Sequence, residues 1–366
     1  MKLVSRMGVL VAVIAAVVPA QAAIVKGPYL QTATTDSITV CWVSDTEEAG
    51  AVEYGIGVFL DRKVPSETRA LRHEVKIAGL DADTEYVYRV VSGETKSEVS
   101  TLRTAVRMGQ AFKFAVIGDV KSGDEEHAKQ VQQMMEFRPA FVMVAGDLVN
   151  AGREQKYWDT FFSISGPLMQ RVPYYPALGN HEGDSPLYFE YFALPGNERY
   201  YSFDWGNCHF IILDSDPPYL QSEDQRKWLI DDLRKDRETD FTFVMFHHPL
   251  YSGTENLNRR LGAAEVRKYF GTILEEAQVD VVFTGHDHNY QHTFVNGVHY
   301  IITGGGGAGL YWVKSKWGFT KQAAVYHWLR VSVNGKRLTI TAIDIDGKLI
   351  ERLEIRARPE LPPPPE

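Results

Sequence analysis

Five apolar runs in this chain each end on residues that bind metal ions or carry protons. Residues 114–117 run into Gly118-Asp119, residues 141–145 into Gly146-Asp147, and residues 175–178 into Gly179-Asn180-His181-Glu182. Residues 241–246 run into His247-His248, and residues 281–284 into Gly285-His286-Asp287-His288. Short runs of this composition bounded by glycine read as buried strands. Ligands of open α/β sheets gather outside the carboxyl ends of the strands, so these five ends are expected to meet. Asp119, Asp147, Asn180, His247, His286 and His288 then form a centre for two metal ions. Asp147, with two carboxylate oxygens, is the natural bridge; Asp119 serves one ion and Asn180 the other. A donor set of oxygen and nitrogen without thiolate suits iron, zinc or manganese. Two such ions clamp phosphoryl oxygens and activate a water, which points to phosphoester hydrolysis. His181, beside the ligand Asn180, is the candidate general acid for the leaving alkoxide, with Glu182 to orient it.

The rest of the chain frames this centre. Its 366 residues, 44% hydrophobic, suggest two domains. A formal net charge of −8 gives no basic footprint for nucleic acid. Residues 1–22 read as a signal peptide: Lys2 and Arg6, an apolar stretch from Val9 to Val18, and a small-x-small site at Ala20-Gln21-Ala22. That stretch is shorter than the ~20 residues of a spanning helix, so removal and a periplasmic or secreted product without a membrane anchor are expected. The only cysteines, Cys41 and Cys208, read as two buried thiols.

Residues 23–105 read as an all-β sandwich, with short alternating strands punctuated by Gly55, Gly79, Asp81 and Gly93. Strands alternate with helical patterns from residue 112 onward, which implies an α/β architecture through residue 357. Helices are expected from a capping box at Ser122–Glu125 to Met135, and over 154–162, 222–235 and 259–277. Asn334-Gly335 and Asp346-Gly347 signal hairpins, and the Pro-rich tail 358–366 signals disorder. The glycine run 304–307 lacks the Lys-Ser/Thr of a phosphate loop and reads as a place of close backbone approach.

Gly118-Asp119, Gly146-Asp147, Gly179-Asn180-His181-Glu182, Val244–His247 and Gly285-His286-Asp287-His288 together resemble the five motifs of calcineurin-like metallophosphoesterases. The N-terminal β region, His247-His248-Pro249-Leu250-Tyr251 and Tyr290 resemble the purple acid phosphatase branch, and residues 80–88 resemble the tyrosine corner of fibronectin type III domains. The resemblance implies two packed β-sheets flanked by helices, with metals at the sheet ends. Two departures stand out. The branch places a Tyr three residues after the bridging Asp, where this chain has Asn150; other branches place a His two residues after the first Asp, where it has Lys121. The first metal therefore keeps Asp119, Asp147 and His288, and His127 on the first helix is expected to complete it, with Asn150 as the alternative. Lys121 is assigned to substrate phosphate. The expected activity is hydrolysis of small phosphomonoesters by a metal-bound hydroxide. Phosphodiesters or nucleotides are the alternative substrates, and a non-catalytic surface binding protein is the alternative class.

Overall fold

The computed structural model describes residues 23–254, 262–313 and 318–358. The expected signal segment and all but the first residue of the expected tail lie outside them.

The N-terminal region is six strands: β1 (Ile24–Gln31), β2 (Ser37–Gly55), β3 (Arg62–Ala78), β4 (Glu85–Ser92), β5 (Thr95–Lys96) and β6 (Ser100–Arg103). Hydrogen bonds join all six strands of the expected β-sandwich into one connected sheet. The reason is β2, whose 19 residues pair with β1 through the first half and with β4 through the second. A register shift between Val43 and Glu48 marks the change. The tyrosine corner is present: the Asp81 N–H donates to the Tyr86 hydroxyl at 2.9 Å. Cys41 and Cys208 are both buried free thiols.

Two further sheets follow. In chain order come β7 (Phe112–Ile117), α1 (Asp124–Phe137), β8 (Val142–Val144), α2 (Gln155–Met169), β9 (Tyr174–Pro176), α3 (Pro186–Tyr191), β10 (Tyr201–Trp205) and β11 (Cys208–Ile212). Then come α4 (Glu223–Leu233), β12 (Phe241–Met245), α5 (Ala263–Val266), α6 (Thr272–Glu276), β13 (Val281–Thr284), β14 (Tyr290–Val295), β15 (Val298–Thr303) and β16 (Phe319–Ala323). β17 (His327–Asn334), β18 (Arg337–Asp344) and β19 (Leu349–Arg356) close the fold. One sheet runs β19-β18-β17-β7-β8-β9 and the other β10-β11-β12-β13-β15-β14-β16. β7, β8 and β9 are parallel, as are β11, β12, β13 and β15. Parallel strands covered on both faces need continuous apolar runs, which is why they are so legible.

The sheets meet through a stack of aromatic rings. Phe114 of β7 lies 4.9 Å from Phe141, Phe141 lies 5.2 Å from Phe210 of β11, and Phe210 lies 4.9 Å from Phe243 of β12. All four are buried, so truncating one to Ala would cost about 3–5 kcal/mol. The same core continues into the N-terminal sheet, where Tyr29 packs on Phe162 of α2 and its hydroxyl donates to the Tyr191 carbonyl at 2.8 Å.

Local signals were realised unevenly. Ser222 caps α4 by accepting from the Gln225 N–H. Both expected hairpins form, joining β17 to β18 and β18 to β19. The capping box does not: Gly123 occupies the cap of α1, and Ser122 instead gives its hydroxyl to the Asn150 carboxamide oxygen. Helix α2 extends to Met169, well past the expected end at 162. The expected helix at 259–277 is described from Ala263 and holds a π turn over Arg267–Gly271; its start lies outside the described residues.

Candidate metal centre

The carboxyl ends of β7, β8 and β9 from one sheet and β12 and β13 from the other are tied together by their backbones. The Asp119 N–H donates to the Gly146 carbonyl at 3.0 Å and the Gly285 N–H to the His247 carbonyl at 2.9 Å. Side chains complete the weave. The His286 N–H donates to Asp119 Oδ2 at 2.8 Å, and His247 Nδ1 donates to the Ala145 carbonyl at 2.8 Å. The glycines ahead of the candidate ligands make this nesting possible. A Cβ on Gly285 would stand 2.4 Å from Asp119 Oδ2, and one on Gly179 would stand 2.5 Å from the Asp147 N–H nitrogen. Asp119, Asp147 and His286 themselves sit at positive φ (57°, 58° and 67°), a strained choice for such residues and one the surrounding bonds enforce. The glycine run serves the same crowding, since a Cβ on Gly306 would stand 2.4 Å from the Gly118 carbonyl oxygen.

The donors fall into two groups. Asn180 Oδ1 lies 3.2 Å from His247 Nε2 and 3.1 Å from His286 Nδ1, and His247 Nε2 lies 3.4 Å from Asp147 Oδ2. On the other side, His288 Nε2 and Asp119 Oδ1 lie 3.3 Å apart; both are buried, and neither makes a hydrogen bond among the described residues. Buried polar atoms left without partners in a converging set are what a cation would satisfy. Asp119, Asp147 and His247 converge within 4.8 Å, as do His247, His248 and His286. The set therefore fits metal ions, with Asp147 between the two groups. Electrostatics agree. Burial opposes charge on His247, yet Asp147, Asp119 and Asp216 hold its pKa up to about 10, the signature of a field that attracts cations. Burial likewise opposes charge on Asp147, and its neighbours His247, Lys121 and His181 hold it well below the usual carboxylate range.

His181 stands at the mouth of this centre. Its Nδ1 meets the Asn150 carbonyl at 2.7 Å, and its Nε2 lies 4.0 Å from Asp147 Oδ2. Glu182 does not orient it. That carboxylate is fully buried and gathers four backbone N–H groups: Asp147 (3.0 Å), Leu148 (2.9 Å), Val149 (3.2 Å) and Gly179 (2.8 Å). Glu182 thus fixes the loop that carries Asp147 against the loop that carries Asn180.

The structure does not bring His127 to the centre. Its Nε2 meets Ser165 Oγ of α2 at 3.2 Å and its ring stacks on Phe161 at 6.2 Å, so it fills the interface of α1 and α2. Burial drops its pKa to about 3, in keeping with a neutral packing residue. Asn150 is also engaged, through its carbonyl with His181 and its side chain with Ser122. Lys121 is buried, and its ammonium pairs with Asp147 Oδ2 rather than pointing to a free anion site.

A cavity of about 600 Å³ opens beside Asn180 and His286, walled by Asp184, Arg199, Asp216, Tyr219 and His248. Arg199 lies 3.6 Å from the Tyr219 ring centre and pairs with Asp214 at 2.8 Å, so Asp214 anchors an arginine rather than a metal ligand. His248 is held by Ser215 at 3.0 Å and lies 3.4 Å from Asp216, whose carboxyl burial pushes up to about 7. Arg199 and Asp216 escaped sequence reasoning because they lie on loops with no periodic pattern or motif around them.

Comparison with known proteins fits this geometry. Residues 112–290 match the calcineurin-like phosphoesterase family and residues 27–104 match the purple acid phosphatase N-terminal domain. Purple acid phosphatase 21 of Arabidopsis thaliana is 32% identical over 71% of this chain and 62% of its own length. Purple acid phosphatase 18 of the same plant is 33% identical over 60% of this chain and 53% of its own. The chain thus spans less than two thirds of either relative. Among solved structures, a purple acid phosphatase from yellow lupin (Lupinus luteus) seeds superposes with a TM-score of 0.78 at 18% identity, over 90% of this chain and 74% of that one, a likeness of fold. Motifs, site geometry and both domain matches agree, and the chain carries a calcineurin-like phosphoesterase domain behind a purple acid phosphatase N-terminal domain.

Proposed function

We propose that this protein is an exported, metal-dependent phosphatase that hydrolyses small phosphomonoesters. The observation that carries the reading is the closeness of Asp119, Asp147, His247 and His286 at strand ends, with Asn180 beside His247 and His286 and His288 beside Asp119, next to an open cavity. Iron, zinc or manganese ions bound there supply a nucleophilic water near neutral pH and offset charge on the phosphoryl oxygens.

The chain's own residues supply the rest. Asp147, Asn180, His247 and His286 form one holding group, and Asp119, Asp147 and His288 the other. Glu182 and the nested glycine loops fix these donors, so little reorganisation accompanies the reaction. The Asn150 carbonyl keeps a proton on His181 Nδ1, so the proton that His181 exchanges is at Nε2, facing the centre. A positioned acid there assists departure of the alcohol. The leaving group lies in the cavity walled by Tyr219, Arg199 and His248. Export rests on the N-terminal segment 1–22. Among the described residues no helix is long and apolar enough to cross a membrane.

The direct test compares p-nitrophenyl phosphate with bis(p-nitrophenyl) phosphate on the metal-loaded protein. A higher kcat/KM for the monoester supports the reading, a higher value for the diester moves the substrate class, and no hydrolysis of either overturns it.

A further inference from the structure

The two halves of the centre are not equivalent, and Lys121 is the reason. Lys121 lies two residues after Asp119 on the loop that follows β7, with its side chain only 4% exposed. Its N–H donates to the Asp147 carbonyl at 3.3 Å, and its ammonium contacts Asp147 Oδ2. The other carboxylate oxygen of Asp147 already accepts the His181 N–H at 3.0 Å. Oδ2 is therefore the oxygen that faces both holding groups, and the ammonium sits on it.

The group of Asp147, Asn180, His247 and His286 has four protein donors. The group of Asp119, Asp147 and His288 has three, and His127 and Asn150, the sequence candidates for a fourth, are bonded elsewhere. An ammonium and a metal cation repel, so a cation drawn to this carboxylate oxygen competes with Lys121 for it. A buried ion pair is also hard to break, because the lysine must be rehoused in a place with few alternatives.

We infer that Lys121 makes the centre stepwise: the Asn180 side, with four protein donors, fills first and tightly, and a cation on the Asp119 side, with three, binds weakly because it competes with the Lys121 ammonium for Asp147. The inference rests on the metal-dependent reading above and adds an order of filling set by one residue. It also gives the site a fixed positive charge when a single ion is bound.

The experiment is a Mn²⁺ titration of the full chain after chelator dialysis. Bound ions are counted by mass spectrometry, and electron paramagnetic resonance distinguishes isolated from spin-coupled Mn²⁺. Wild type is expected to bind in two steps with dissociation constants at least ~tenfold apart, isolated Mn²⁺ preceding coupled pairs. Lys121→Met is expected to tighten the weak step at least ~tenfold, while Lys121→Arg, which keeps the charge, leaves it weak. Lys121→Gln carries the same expectation should the Met variant fail to fold. Two ions of equal affinity in wild type, or a weak step that neutral variants do not move, would overturn the inference. Hydrolysis of p-nitrophenyl phosphate at saturating Mn²⁺ is read separately. Its loss with stepwise binding intact would overturn the phosphatase reading and leave this one standing.

Discussion

Replacing His127 by Ala separates two accounts of this residue. As a metal ligand, its loss would remove an ion and leave the helices intact. As the structure has it, the imidazole is buried between α1 and α2, bonded to Ser165 and stacked on Phe161. Truncation there leaves a cavity and an unpaired hydroxyl, so the variant should lose about 2–4 kcal/mol at pH 7.5. The pH dependence sharpens the test. The folded pKa is depressed by burial to about 3, against about 6.5 in an unfolded chain. Above pH 6.5 both states hold the ring neutral, and the residue adds no pH dependence. Below it the unfolded chain takes up a proton that the folded protein refuses until pH falls to about 3. Wild type therefore loses about 1.4 kcal/mol of stability per pH unit in that window from this group alone, or roughly 2 kcal/mol by pH 5. Alanine cannot titrate, so the variant's deficit should shrink by that amount between pH 7.5 and pH 5. Urea unfolding in chelator, followed by tryptophan fluorescence, measures the deficit without metal release entering it. Metal content of the undialysed variant is measured alongside and should equal that of wild type. A variant that loses one ion per chain, with a deficit constant across pH, would refute this account and restore His127 as a ligand.

The remaining expectations concern the centre itself. His181→Ala should lower kcat roughly 10²–10⁴-fold with metal content unchanged; a parallel loss of metal would make His181 a ligand instead of an acid. Glu182→Gln replaces one of the acceptors of four N–H groups with a donor, and should destabilise the fold by about 1–3 kcal/mol and weaken metal binding, both read by melting with and without added Mn²⁺. An iron-loaded preparation should lack a tyrosinate charge-transfer band, because Asn150 stands where the related branch has Tyr; a purple colour would contradict that. Excess metal should raise the melting temperature relative to chelator, because ions that bind only the folded centre stabilise it by mass action, and identical melts would deny that the centre binds them.

The strand ends were readable because two physical requirements coincide there. Parallel strands buried on both faces give unbroken apolar runs, and loops packed so closely that an added Cβ would stand 2.4 Å to 2.5 Å from a neighbouring atom demand glycine at their first position. Gly-Asp, Gly-Asn and Gly-His are thus the shape of a crowded junction as much as the chemistry of a metal. Long-range partners leave no such local trace. Glu182 looked like a partner of its neighbour His181, yet it binds the backbone of residues 147–149 from over thirty positions away. Ser122 looked like a helix cap, yet a positive φ of 67° turns it toward Asn150. His127 had the right spacing to reach the centre from the first helix, and only the packing of α2 against α1 shows that it faces Phe161 and Ser165 instead.

The same distinction bears on the two positions where this chain departs from the motif pattern it resembles. The candidate ligands on strand ends are held by both sheets, so changing one would disturb the junction as well as metal binding. Residues 121 and 150 sit just beyond the strand ends, on loops that α1 and α2 anchor. There a Lys or an Asn can replace a ligand without disturbing the sheets, because each finds a local partner: Lys121 takes the Asp147 carboxylate, and Asn150 takes Ser122 and His181. The loop positions flanking the centre are thus free to set how tightly one ion is held, while the strand ends keep the other in place. If that is right, Lys121→Gln should alter the metal titration and cost about 3–5 kcal/mol of unfolding free energy in chelator, as for one lost partner of a buried ion pair, a cost that added metal offsets. Asp147→Asn, by contrast, should abolish tight binding of both ions.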